Sequence, residues 1–319
     1  MRLDWLAWSN PLAIWWSFLI LVSAGNLALL LHLHSQYRRT GSPRRAGALA
    51  VEPLLLLCAA YVIGCAFRSI LPRADVQRIC LFDTWLSSVF VGRSVATVAE
   101  MCFIIQWAIV LRVFARVAHA DSAGNIAKAL VPVVAAAEAC SWYAVITTNY
   151  LGNAIENSIW AVAFLLVGTA LVRLLFDFHG FLRIAIALLD LLHRYRGVVK
   201  GAIAAAALGI AGYVAFMCTI DVPMYFVRWR ADLAAHREFL GLFAGLHDVA
   251  TRWVVTHDVV RWDGEIAWMS LYFSAAVWTS LLLAGFGLMK HLLPRYRAGR
   301  PTPRLVRRPV AVPVSRRLG

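Results

Sequence analysis

Acids and arginines recur at helical spacing within stretches that are otherwise fit for lipid. Arg93, Thr97, Glu100 and Trp107 fall at i, i+4, i+7 and i+14, one stripe of a helix. Glu138, Ser141, Trp142 and Asn149 repeat the pattern at i, i+3, i+4 and i+11, and Asn153, Glu156, Asn157 and Trp160 at i, i+3, i+4 and i+7. Tyr213, Met217 and Asp221 close one later apolar stretch, and Glu265, Trp268 and Tyr272 open the next. An ionisable side chain at the centre of a membrane helix costs about 2.5–3.5 kcal/mol on insertion scales, so its retention points to function. Glu100 and Glu138 are the candidate acid/base pair. Arg68 and Arg93 are candidates to hold an anionic headgroup, with Asn149, Asn153, Glu156, Asn157, Asp221 and Tyr272 completing a binding surface. The competing reading is interhelical hydrogen bonding, worth about 0.6–2 kcal/mol per contact. It suits the Asn, Ser and Thr members better than the two glutamates.

A second constellation is the doubled stretch HDVATRWVVTHDVVRW at 247–262. Its two His-Asp pairs have ligand chemistry, yet on a continuous helix His247 and His257 stand about 280° apart around the axis. His247 and Asp258 share a face but lie about 16 Å apart along it. A surface segment is the expected form, with Trp253 and Trp262 at headgroup depth and Arg252 and Arg261 toward phosphates. His247, Asp248, His257 and Asp258 then form a lid over the site beneath. Neither a metal nor a cofactor is expected.

The elements that must position these groups follow from hydropathy. Hydrophobic residues make up 61% of the chain and the mean hydropathy is +0.70, beyond the roughly 45–50% of soluble domains. Windows of about 19 residues give seven spans over 11–33, 48–70, 88–111, 127–148, 154–175, 198–220 and 266–289. The expected fold is an all-α membrane bundle of seven transmembrane helices, residues 1–290, with interfacial amphipathic helices. One of these is expected on the cytoplasmic side over 179–197. Another is expected over 231–253 within the outer segment 221–265, its apolar face made by Leu233, Leu240, Phe243, Leu246, Val249 and Trp253.

Lys and Arg set the orientation. Segments 34–47, 112–128, 173–200 and the tail carry 21 of the 31 basic residues, against 10 in the opposite set. The N-terminus is thereby outside and the C-terminus inside. Arg68, Arg73, Arg78 and Arg93 are many for an outer connection and imply a purpose other than topology. The net charge of +14 is concentrated in the tail, 291–319, which is expected to lack structure and to face anionic headgroups. Without a recognisable binding module, that charge does not indicate nucleic acid.

Several classes are excluded. The last span has no mid-helix lysine for a retinal Schiff base, since Lys290 lies at its cytoplasmic end. The histidines sit at span ends or in connections, which disfavours axial haem ligation. HExxH, GxSxG and Walker patterns are absent. What remains is a membrane enzyme acting on a lipid or amphiphile, with membrane lipids as partners. The alternatives are a transporter or proton pathway extended through Asn26, Glu52 and Gln106, and a non-catalytic subunit that docks other membrane subunits. Arg outnumbering Lys suggests a GC-rich bacterial genome and a cytoplasmic membrane.

Overall fold

A computed structural model gives the fold over residues 4–6, 10–39, 51–176 and 196–286. Among these residues seven helices are long and apolar enough to cross a bilayer. They are span 1 (Pro11–Arg39), span 2 (Glu52–Ile70), span 3 (Val89–Arg116), span 4 (Asp121–Thr147), span 5 (Tyr150–Phe176), span 6 (Ile203–Ala234) and span 7 (Val259–Phe286). The protein is a seven-span, all-α integral membrane protein. The interfacial helix expected over 179–197 lies, but for its last two residues, outside the described residues, as does the tail.

Successive spans 1 to 6 pack as neighbours, and span 7 returns against spans 1 and 2. The hairpin between spans 4 and 5 is the tightest join. Thr148 adopts φ 59° and its N–H returns to the Ala144 carbonyl, while Asn149 Oδ1 accepts from the Leu151 N–H to start span 5. Gly152 then lies so near span 4 that a Cβ there would sit 2.7 Å from the Ala144 Cβ and 2.8 Å from the Cys140 carbonyl. A larger residue would pry the two helices apart where they carry Glu138 and Glu156.

Spans 6 and 7 each contain one π turn, at Met217–Asp221 and at Tyr272–Ala276. The first precedes Pro223, whose ring would crowd the carbonyl four residues back in a regular helix. The second contains the Phe273 carbonyl, which accepts 2.9 Å from the Asn26 side chain of span 1. Such turns concentrate at functional sites, and here they flank Asp221 and Tyr272.

At the end of the bundle that the basic-residue count assigns to the outside, the connections fold into a cap. Strand β1 (Arg73–Ala74) pairs antiparallel with β2 (Ile79–Cys80), and β3 (Val254–Val255) joins β2 in parallel. Arg78, at φ 59°, turns a buried guanidinium to Asp248 (2.7 Å), the Asp75 carbonyl (2.6 Å) and the Val145 carbonyl (2.7 Å). Arg73, also buried, grips Asp75 at 2.9 Å and the Val89 carbonyl at 2.6 Å. Gly92 leaves it room, since a Cβ there would stand 2.6 Å from the guanidinium.

Two expectations for the outer segment are corrected. The single helix over 231–253 is broken: span 6 runs on to Ala234, His236 takes φ 50°, and a separate short helix spans Leu242–Thr251. Trp262 is not at headgroup depth but fully buried, tilted against Trp15 and donating to the Thr256 carbonyl at 3.0 Å.

The cap carries a pH dependence through Asp75. Burial pushes this carboxyl up, but Arg73, Arg68 and Arg93 outweigh burial and hold it at about 2. A carboxyl depressed in the folded state stabilises it above the unfolded value and loses that contribution as pH falls through the folded one. The cap is expected to keep full strength down to about pH 4 and to lose ~2 kcal/mol below that. Amide protection factors at Val254 and Thr256, whose N–H groups hold β3 to β2, read the transition. Asp75→Asn is expected to abolish it; an unchanged acid limb would assign it to another group.

Candidate functional site

Span 3 supplies Arg93, Thr97 and Glu100, span 4 Glu138 and Trp142, and span 5 Asn153, Glu156 and Asn157. Because each set repeats at helical spacing, three neighbouring helices turn one polar stripe apiece toward a common axis. Arg93 Nη2 stands where they meet, 2.7 Å from Glu138 Oε2, 3.0 Å from Glu100 Oε2 and 3.5 Å from Glu156 Oε1. Thr97 Oγ1 donates to Glu138 Oε2 at 2.6 Å and accepts from the Trp142 indole at 3.1 Å. Tyr272 of span 7 donates its hydroxyl to Glu100 Oε1 at 3.0 Å. All four charged groups are buried, Glu138 to 4% exposure. Glu100 lies about 16 Å along span 3 from its outer end.

The sequence-derived pair, Glu100 and Glu138, is thus brought together, with Glu156 as a third member. Carboxylate oxygens of the three lie within 4.8 Å of one another, near enough to ligate one ion. The point from which an ion would reach all three is held by Arg93 Nη2. One guanidinium among three carboxylates leaves a formal charge of −2, which a low-dielectric site meets by taking up protons or another cation.

A cavity of about 760 Å³ adjoins the cluster. Arg68, Arg93, Glu100, Glu156, Tyr225 and Glu265 line its outer end. Its remaining length is apolar, walled by Phe103, Trp107, Phe164, Ile210, Leu283 and Phe286. It runs between spans 6 and 7, which meet near the outer end by stacking of Phe216 on Trp268. Several lining residues, among them Gly209, Gly212, Leu271 and Leu282, also belong to the exposed surface of those spans. Among the described residues the cavity is therefore open at the side of the bundle between these two spans.

The remaining candidates divide. Asn153 Nδ2 donates to Glu156 at 3.2 Å, and Asn157 donates to Asp221 just beside the π turn of span 6. Arg68 lines the cavity and reaches Asp75 at 3.8 Å. Asn149 belongs to the hairpin and does not line the cavity. His247, Asp248, His257 and Asp258 lie in the cap, and none lines the cavity either. His257 stacks on Trp5 and bonds the Leu81 carbonyl, Asp248 pairs with Arg78, Asp258 caps span 7, and His247 faces Thr251 at the surface. Asn26 and Gln106 are spent on span-to-span bonds, to the Phe273 and Leu54 carbonyls respectively.

Glu265 escaped the sequence reading as a site residue. It is buried, accepts from Gln77 at 3.1 Å and faces Arg228 at 3.9 Å. Its position three and seven residues before Trp268 and Tyr272 was the available signal. Comparison of the chain with protein-family models, curated proteins and solved structures finds no match.

Removing the central guanidinium tests how the cluster is held. Arg93→Met is expected to lower stability by about 3–5 kcal/mol, because it strands buried carboxylates. Adding Glu100→Gln, Glu138→Gln and Glu156→Gln to it is expected to recover most of that loss. Thermal unfolding in detergent compares the single and quadruple variants; equal losses would mean that Arg93 acts through packing alone.

Proposed function

We propose that the protein is an integral membrane enzyme that takes an amphiphile sideways from the bilayer and performs acid/base chemistry on its polar head. The observation that carries this reading is the continuity of one cavity from buried carboxylates to an apolar trough open between spans 6 and 7. A site for a small soluble substrate has no need of such a trough. A headgroup at the outer end and an alkyl chain along the aromatic walls fit both halves.

Glu100 and Glu138 carry the chemistry in this reading. Sharing one guanidinium, they form a pair in which one carboxyl retains a proton while the other accepts one. Glu138 Oε2 is held by Arg93 and Thr97, and Glu100 by Arg93 and Tyr272. Tyr272 lines the cavity, donates to Glu100 and can pass a proton between the cavity and that carboxyl. Glu156, Asn153 and Asn157 line the polar end, and Asp221 holds Asn157 from behind. Membrane lipids are the natural source of substrate.

The test is the lipid extract of cells producing the wild-type chain beside those producing Glu100→Gln or Glu138→Gln. Each variant is expected to fold and to lose about 10²–10⁴-fold in turnover, so that a lipid species consumed or formed by the wild type is unchanged. Identical extracts from all three strains would sink the enzyme reading. Carboxylate-dependent uptake into liposomes, with unchanged lipids, would replace it with transport.

A further inference from the structure

We infer that the apolar length of the cavity gauges the substrate's chain, and that it fits an extended alkyl chain of about sixteen carbons whose tip ends at Phe114 and Phe286. The inference rests on the amphiphile reading above and adds the class of chain.

Span 3 supplies the scale. Glu100, Phe103, Trp107, Val110 and Phe114 all line the cavity, and their spacing of i, i+3, i+7, i+10 and i+14 sets them in one stripe. The polar stripe therefore does not end at Glu100 but passes into an apolar one on the same face. At 1.5 Å per residue the descent from Glu100 to Phe114 is about 21 Å. Two further walls give nearly the same length. From Tyr272 to Phe286 on span 7 is again about 21 Å, and from Glu156 to Leu171 on span 5 about 22 Å. At the foot, Phe114 and Phe286 meet edge to face with ring centroids 6.2 Å apart, joining spans 3 and 7 across that end.

The two ends of the chain are thereby assigned. Arg93, Glu100 and Glu156 line the polar end as paired charges, and an alkyl chain laid over them would cost desolvation without returning a hydrogen bond. Only the head belongs there. Below Glu100, among the described residues, no charged side chain lines the cavity. Phe164 closes the wall between spans 5 and 6, its ring 5.0 Å from Tyr213 and 6.2 Å from Trp107.

Carbon–carbon bonds of about 1.5 Å at tetrahedral angles advance an extended chain by ~1.25 Å per carbon, so the trough takes about sixteen carbons. One leaflet holds about 15 Å of hydrocarbon, half of the bilayer core. The trough is longer than that, so a chain that fills it lies straighter than in fluid lipid, and its tip reports its length. A shorter chain leaves the lower wall without partner atoms and forfeits their dispersion contacts. A longer one meets the Phe114–Phe286 pair.

The experiment uses the full chain, purified in an uncharged steroid-based detergent that has no alkyl chain to compete. The probes are straight-chain alcohols of eight, twelve and sixteen carbons, each with a photoreactive diazirine on its last carbon. Mass spectrometry of labelled peptides is expected to find the three tips progressively deeper, near Trp107, near Val110, and at Phe114 or Phe286. Excess hexadecanol is expected to reduce each label at least about tenfold. Thr279 lines the cavity about 10 Å below Tyr272. Thr279→Phe is expected to reduce the sixteen-carbon label at Phe114 and Phe286 at least about tenfold and to leave the eight-carbon label at Trp107 unchanged. Should that variant fail to fold, the depth series on the wild type decides alone. Competed labels at one depth for all three lengths, or a sixteen-carbon label unchanged in folded Thr279→Phe, overturn the gauge and leave the amphiphile reading standing. Absence of any competed label within the cavity overturns both.

Discussion

One guanidinium holds three helices to a common axis inside the membrane. Arg93 reaches carboxylates from its own span and from the two that follow, through a single nitrogen. Each of these ions would be costly alone in hydrocarbon. Together they are tolerable only while the geometry is kept, so the cluster demands that spans 3, 4 and 5 hold one register. The two-residue join between spans 4 and 5 and the close approach at Gly152 enforce it. A site of fixed depth results, and Tyr272 extends it to span 7 on the opposite wall.

Above that level the outer arginines have a related task. Arg73 and Arg78 look anomalous as topology signals because they are not topology signals. They are buried crosslinks that collect backbone carbonyls from the ends of spans 3 and 4 and tie two separate connections into one cap. An arginine that satisfies several carbonyls at once suits connections too short to form longer strands, since buried carbonyls must find donors somewhere. His257 and Asp258 serve the same assembly, the first by bonding the Leu81 carbonyl and the second by capping span 7.

The spans and the polar stripe were legible because both are periodic. Seven apolar blocks and i, i+4, i+7 spacing report local geometry, and local geometry survives folding in a membrane where the backbone must bond within its own segment. Arg93, Glu100, Glu138 and Glu156 met as their spacing suggested. Asn149 did not join them, because a residue at the end of a helix is as apt to cap the next one as to face a ligand. The fate of the doubled His-Asp stretch was also hidden. Its partners, Arg78, Leu81 and Trp5, lie more than 165 residues away in sequence, and nothing in the repeat itself encodes them. Trp262 illustrates the limit from the other side: a tryptophan next to an arginine reads as interfacial, yet here the ring is packed against Trp15 and only its N–H finds a polar partner.

The π turn of span 6 alters what its sequence means on either side. Tyr213 and Tyr225 are twelve residues apart, about 120° out of phase on a regular helix, yet both line the cavity. One additional residue in the turn at Met217–Asp221 retards the rotation by about 100° and returns the second tyrosine to the face of the first. The span is therefore two helical phases spliced at Asp221. Regularising 217–221 to α-helix with every residue kept would leave hydropathy, length and composition intact while swinging Tyr225 and Arg228 about 100° off the face of Tyr213. The frame of this helix, more than the identity of its individual apolar residues, is what the chain must keep.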